Sequence, residues 1–421
     1  MIRLCGAFVV ALCFLPSPAR AASVCDPDGL QTSGSIYRIC MPAPEDYNGM
    51  LVIWAHGFQD AGTPVSIPED QLCLGGGFCI PQIVNDLGFG FATNSYSKTG
   101  LAILQGKADI LDLVNIYSGQ KGAPEKVYLI GASEGGIITA LSVEQHPDIF
   151  SGGLAACGPV GDFPLQINYF GDGRATFEYF FPGLIPGDPF HPAPALIANW
   201  TAFYESIVEP VVFAPGNRSR LDQWVRVARM PFDDADYLGS VRVSVRDMLR
   251  YGVVNLTDGG LTLGGFPFDN LTRWYTGSNN DALLNLLVQR VAADPAAVEE
   301  MQKYQTSGVL QRPLVTLHTR RDQQVPYVHE QIYLFKTFFS GSFLSRHVNI
   351  PVDRFEHCNF TADEALAGFA IMLLYDELIA EVSGVGAFLS GQELAAFEAR
   401  AARAGLPYRK EGPRLAITLK R

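Results

Sequence analysis

Short apolar runs and helix-spaced segments alternate in two separate parts of this chain. Met50-Leu51-Val52-Ile53-Trp54-Ala55 is apolar throughout, as in a strand buried on both faces of a parallel sheet. Ser35 to Met41 alternates and predicts an earlier strand. Gly88 to Tyr96 predicts a later one. Val24 to Leu30, with Pro27 and Gly29, reads as a loop. Ala102 to Tyr117 spaces Ile103, Ile110, Leu111, Val114 and Ile116 as a helix does. Val127 to Ile130 is another buried strand, Ile137 to Val143 is helix-like, and Gly152 to Gly158 is one more short strand. Strand, helix, strand, helix is the rhythm of a mostly parallel central sheet flanked by helices, an α/β fold.

From about Phe163 to Gln311 that rhythm stops. The segment is long, aromatic-rich and mostly helix-like, and Asn168-Tyr169-Phe170, Phe177 and Tyr179-Phe180-Phe181 crowd its opening. Such aromatics form a local core, wall a binding site for an acyl or aryl group, or do both. Strand character returns at Leu314-Val315-Thr316-Leu317-His318-Thr319 and again at Val348-Asn349-Ile350, and Ala362 to Leu378 is helix-like. The expected organisation is a core over residues 22–162 and 312–385, an inserted helical cap over 163–311 and a charged tail over 386–421.

Composition narrows the class. With 421 residues, 48% hydrophobic and 18% charged, the chain is long enough for a large buried core. A formal charge of −12 argues against nucleic acid or an anionic membrane as partner, since both need a basic face. The start reads as an export signal: Arg3, an apolar run from Leu4 to Leu15, and Ala19-Arg20-Ala21 as a cleavage site. That run is too short to span a bilayer well, and no later stretch is long and apolar enough for stable membrane insertion. Cleavage after Ala21 is expected, with a secreted or periplasmic product. It leaves six cysteines: Cys25, Cys40, Cys73, Cys79, Cys157 and Cys358. An even number in an exported chain points to disulfides, whose pairing is open at this stage. Cys73 and Cys79 could close a small loop, and Cys25 with Cys40 is a further pairing. The cysteines lack metal-ligand spacing, and no Gly-Lys-Ser/Thr follows the glycines at 75–77. Neither a metal nor a cofactor is expected.

The candidate chemistry sits at Val127-Tyr128-Leu129-Ile130-Gly131-Ala132-Ser133-Glu134-Gly135-Gly136. A strand runs into Gly-x-Ser-x-Gly and a helix follows, which is the context a nucleophilic serine on a sharp turn requires. Here the sequence resembles the α/β-hydrolase superfamily. A second point of resemblance is His56-Gly57-Phe58 after the apolar strand. The resemblance implies an oxyanion hole made by the backbone N–H groups of Phe58 and Glu134. A third is the order Ser133, Asp322, His357, the nucleophile–acid–base order of that superfamily. Asp322 lies in the polar turn Arg320-Arg321-Asp322-Gln323-Gln324-Val325-Pro326, and His357 precedes the last helix-like stretch. The resemblance covers roughly residues 35–160 and 312–380.

It implies an exported serine hydrolase that cleaves carboxylic esters, of a small molecule or a polymer, through an acyl-enzyme. Two alternatives stand beside it: amide or peptide cleavage by the same triad, and a catalytically silent hydrolase fold used for binding. Asp353 is the rival acid. His56, His146, His191, His318, His329 and His347 are read as structural or solvated, and the Glu134 side chain as packing or solvent-facing. Cys358 directly follows His357, and a Cys157–Cys358 bridge would pin the histidine loop. Tannase and feruloyl-esterase-like hydrolases also couple a cysteine to the histidine, but theirs precedes the serine, where this chain has Ala132. Five Asn-x-Ser/Thr sequons, at Asn199, Asn217, Asn255, Asn270 and Asn359, matter only in a host that glycosylates exported proteins.

Overall fold

A computed structural model describes residues 24–73 and 79–378. The export segment with its cleavage site, the glycines at 75–77 and the tail over 386–421 lie outside the described residues.

Among the described residues nine strands form one sheet: β1 (Val24–Cys25), β2 (Gly29–Leu30), β3 (Ile36–Met41), β4 (Leu51–Ala55), β5 (Gly90–Asn94), β6 (Val127–Ala132), β7 (Gly152–Ala156), β8 (Leu314–Arg321) and β9 (His347–Phe355). Their order is β1-β3-β5-β4-β6-β7-β8-β9, with β2 also paired to β3. The pairs from β5 through β4, β6, β7 and β8 to β9 are parallel, and the pairs made by β3 are antiparallel. This is an α/β fold around a mostly parallel sheet.

Side-chain alternation builds two helical layers. Leu51, Ile53, Ala55 and Leu129 pack on one face with helices Ile103–Lys121 and Glu134–Gln145. Val52, Tyr128, Ile130, Leu154 and Leu317 pack on the other with helices Ile80–Asp86 and Ala362–Leu378. Between β7 and β8 the elements among the described residues are helices joined by loops, with an isolated bridge between Asp188 and His191. The first of these helices is Phe163–Phe180. Their buried residues, Phe177, Trp224, Val245 and Met248 among them, join the same core cluster as Leu129. No helix among the described residues is long and apolar enough to cross a membrane.

Two segments differ from the sequence reading. Residues 24–30 are not simply a loop, because both ends pair with β3. Cys25 stands opposite Cys40 in register and is disulfide-bonded to it, which ties the segment to the sheet. β9 runs well past Ile350, because β8 continues beside it as far as Arg321. Pro351 masks that length in the sequence, but an edge strand tolerates proline since one side needs no ladder bonds.

Candidate active site

Ser133 is the residue between β6 and helix Glu134–Gln145, with φ 57° and ψ −119°. A non-glycine residue in that region is strained and persists only when its surroundings hold it. The glycines on either side make the turn feasible. A Cβ on Gly131 would sit 2.3 Å from Gly135 O, and one on Gly135 would sit 2.0 Å from Ala55 O. Both close approaches exclude any side chain, so helix and strands pack at backbone distance. Ser133 therefore caps a helix N-terminus, where unpaired N–H groups and the helix dipole favour negative charge. Glu134 N is the first of these amides. Phe58 lies in the turn after β4, and Gly57 N donates to Gln71 Oε1 at 2.6 Å, holding that turn.

The structure brings three distant residues together. His357 Nε2 is 2.9 Å from Ser133 Oγ, and His357 Nδ1 is 2.7 Å from Asp322 Oδ2. Asp322 directly follows β8, and His357 is two residues beyond β9. The other oxygen of Asp322 accepts the backbone N–H groups of Gln324 and Val325, each at 2.8 Å. Burial pushes the Asp322 carboxyl up, but His357 and His318, through charge and hydrogen bonds, outweigh it and hold the group well below the usual carboxylate range. The turn that carries Asp322 is fastened from the helical stretch. Gln166 Nε2 donates to Gln324 O, Tyr169 Oη to Gln323 O, and Asp247 accepts both Gln323 and Gln324 side chains.

Asp353 is not part of this group. Its side chain is 82% exposed and faces Arg321 at 3.8 Å. His56 is buried, stacks on Tyr96 and is bonded to Gly57 O; burial lowers its pKa to about 4. His329 is buried too, at about 3 for the same reason. The Glu134 side chain is buried rather than solvent-facing, and its Oε1 accepts Ala102 N–H at 2.7 Å.

His318 is the residue that sequence reasoning undervalued. It is fully buried, with Nε2 3.3 Å from Asp322 Oδ2 and 2.9 Å from Val325 O, and Nδ1 3.1 Å from Glu330 Oε1. Every neighbour of both ring nitrogens is an oxygen able to accept, an arrangement that favours the doubly protonated ring. Burial would lower its pKa, but hydrogen bonds to Asp322 and Glu330 outweigh that and raise it. A histidine on a strand carries no sequence signal of such a role. The position four residues before the acid becomes meaningful only once the turn brings the two together.

Cys157 and Cys358 form a disulfide, as do Cys73 and Cys79. Among the described residues, Cys157, His357 and Cys358 make up the one grouping with metal-ligand proximity. The two sulfurs are bonded to each other, so they offer no thiolate to a metal.

Two cavities meet at Ser133. The larger, about 660 Å³, runs between the sheet and helices Ile80–Asp86 and Ala362–Leu378 and includes His357, Ile130, Leu154, Leu317 and Phe369 in its lining. The smaller, about 100 Å³, lies under the helical stretch and includes Glu134, Gln166, Phe170 and Asn255. Phe58, Tyr251 and Gln324 line both. The opening aromatics of the helical stretch thus divide. Phe170 stacks on Tyr251 at the small cavity, whereas Phe177 packs on Phe181 and Trp224 in the core.

A mostly parallel sheet, a serine on the strand-to-helix elbow of its central strand, and an Asp and a His after two later strands together define the α/β-hydrolase fold. No family model and no curated protein matches the chain in sequence. Solved structures similar to it include an acylaminoacyl peptidase from Pyrococcus horikoshii, at 9% identity and TM-score 0.43 over 87% of this chain and 44% of that one. Lipase A from Candida antarctica matches at 14% and 0.43 over 90% and 84%. The rice cell wall degrading esterase LipA from Xanthomonas oryzae matches at 13% and 0.41 over 84% and 89%. The chain spans about two fifths of the length of the peptidases it matches. Likeness at this level says nothing about substrate.

Proposed function

We propose that this protein is an exported serine hydrolase of carboxylic esters. The observation that carries the reading is the continuous hydrogen-bonded chain Ser133–His357–Asp322 at a strained elbow. Ser133 Oγ attacks the ester carbonyl while His357 Nε2 takes its proton, then returns it to the departing alcohol oxygen. Asp322 holds the tautomer that presents Nε2 to the serine and stabilises the imidazolium. The N–H groups of Phe58 and Glu134 receive the oxyanion, and losing one such donor costs about 3 kcal/mol of barrier. Water repeats the sequence and frees the acid. The residues of the cap, 163–311, roof the smaller cavity. Three disulfides among the described residues support export through an oxidising compartment, in line with the N-terminal signal reading.

A fluorophosphonate probe is expected to label the protein at Ser133, and p-nitrophenyl acetate to be turned over. Ser133→Ala should abolish labelling and lower kcat by about 10⁴-fold or more. A wild-type protein inert to both reagents would overturn the reading.

A further inference from the structure

The two cavities at Ser133 differ in size and in chemistry, and that difference assigns the two halves of a substrate. We propose that the small chamber binds a short acyl group bearing a hydrogen-bonding substituent, while the long cavity binds a larger apolar alcohol. The inference rests on the ester-hydrolase reading above.

The direction of proton flow decides which half goes where. The ester C–O bond breaks as the acyl carbon bonds to Ser133 Oγ, and the alcohol oxygen leaves with the proton that His357 Nε2 took from the serine. The departing oxygen must therefore lie beside His357. His357 lines the long cavity and not the small one, so the alcohol occupies the long cavity. The acyl group, pointing away from the histidine, is left the small chamber beside Glu134.

Volume sets the sizes. A cavity of about 150 Å³ holds a benzene, so about 100 Å³ admits an acyl group of roughly four or five heavy atoms. The 660 Å³ cavity is of the size that takes whole small molecules. Ile83, Val84, Leu154, Leu317, Leu366 and Phe369 make its walls apolar.

The small chamber is not purely apolar. Glu134, 6% exposed, keeps Oε2 without a partner, and Gln166, 7% exposed, keeps Oε1 without one. Asn255 keeps both its amide nitrogen and its amide oxygen unpaired. All three residues line this chamber. Unpaired buried polar atoms are costly, and native folds rarely leave four around one cavity. Asn255 ends the π-helical turn Tyr251–Asn255, a departure from α geometry that often marks a functional site. A hydroxyl or carbonyl on a short acyl chain would pair with these groups.

Two substrate series test this. In p-nitrophenyl esters, kcat/KM should fall about tenfold or more from butyrate to octanoate. The 3-hydroxybutyrate ester should outpace butyrate by about tenfold. In acetate esters, hexyl acetate should outpace ethyl acetate, and Leu366→Trp should reduce that ratio. Asn255→Leu should erase the preference for the hydroxylated acyl group, which the unmutated protein's two series test independently of how well the variant folds. Highest rates on octanoate or longer acyl chains, or no gain from the hydroxyl, would overturn the assignment. Absence of probe labelling and of all turnover would instead sink the ester-hydrolase reading.

Discussion

The carboxyl of Glu134 is buried beside Ser133, and burial pushes its pKa up to about 8 despite the Ala102 N–H that it accepts. Below that pH the neutral form of the side chain dominates, and it leaves the adjacent backbone N–H undisturbed as the proposed oxyanion donor. Above it the group gains a negative charge next to the proposed oxyanion position, which would raise the barrier. The expected outcome is a fall in kcat above about pH 8. Glu134→Gln, which keeps the backbone donor and stays neutral, should remove that alkaline fall. A pH profile of kcat for both proteins checks it, and identical profiles would contradict it.

At the scale of elements, the loop between β9 and helix Ala362–Leu378 must hold an imidazole within reach of the serine. It does so with left-handed backbone at Glu356 and Cys358, with Thr319 Oγ1 donating to Glu356 O, and with the Cys157–Cys358 disulfide. Parallel register places Ala132 of β6 beside Ala156 of β7. Cys157 therefore follows its strand just as Ser133 follows the elbow strand. A cysteine on the neighbouring strand can thus tie the histidine loop even though Ala132 precedes the serine. Cys157→Ser with Cys358→Ser should cost about 3 kcal/mol of stability, read by denaturant melts. It should also lower kcat more than it raises KM, because the loop that carries His357 loses its tether while the cavities remain.

Over the whole molecule, His318 couples the proposed site to stability. Its ring lies between Asp322 and Glu330, and Glu330 also accepts Asn349 Nδ2, so strands β8 and β9 and helix Val328–Phe339 meet on one charged group. The folded state raises the His318 pKa from 6.5 to about 10. A raised histidine contributes stability that is fully present below pH 6.5 and is lost as pH climbs towards 10. Melting temperature should therefore decline across that window. In His318→Gln it should start lower and lose the part of the slope that His318 supplies, as thermal melts in a pH series would report.

The α/β class was legible from apolar runs alone, because buried parallel strands must be continuously hydrophobic and the helices between them must be periodic. The elbow serine and the order Ser133, Asp322, His357 were legible for a related reason: local backbone chemistry marks the turns that carry them. Which of Asp322 and Asp353 meets His357 was not decided by spacing. It depended on β8 ending at Arg321 and on where the two turns fold back. The same holds for His318, Tyr251, Asn255 and Gln324, whose significance arises from side chains distant in sequence converging on one volume. Local pattern encodes elements, since strand and helix periods are short. Which polar groups share a buried space, and how large that space is, depends on packing between elements and appears only in the folded chain.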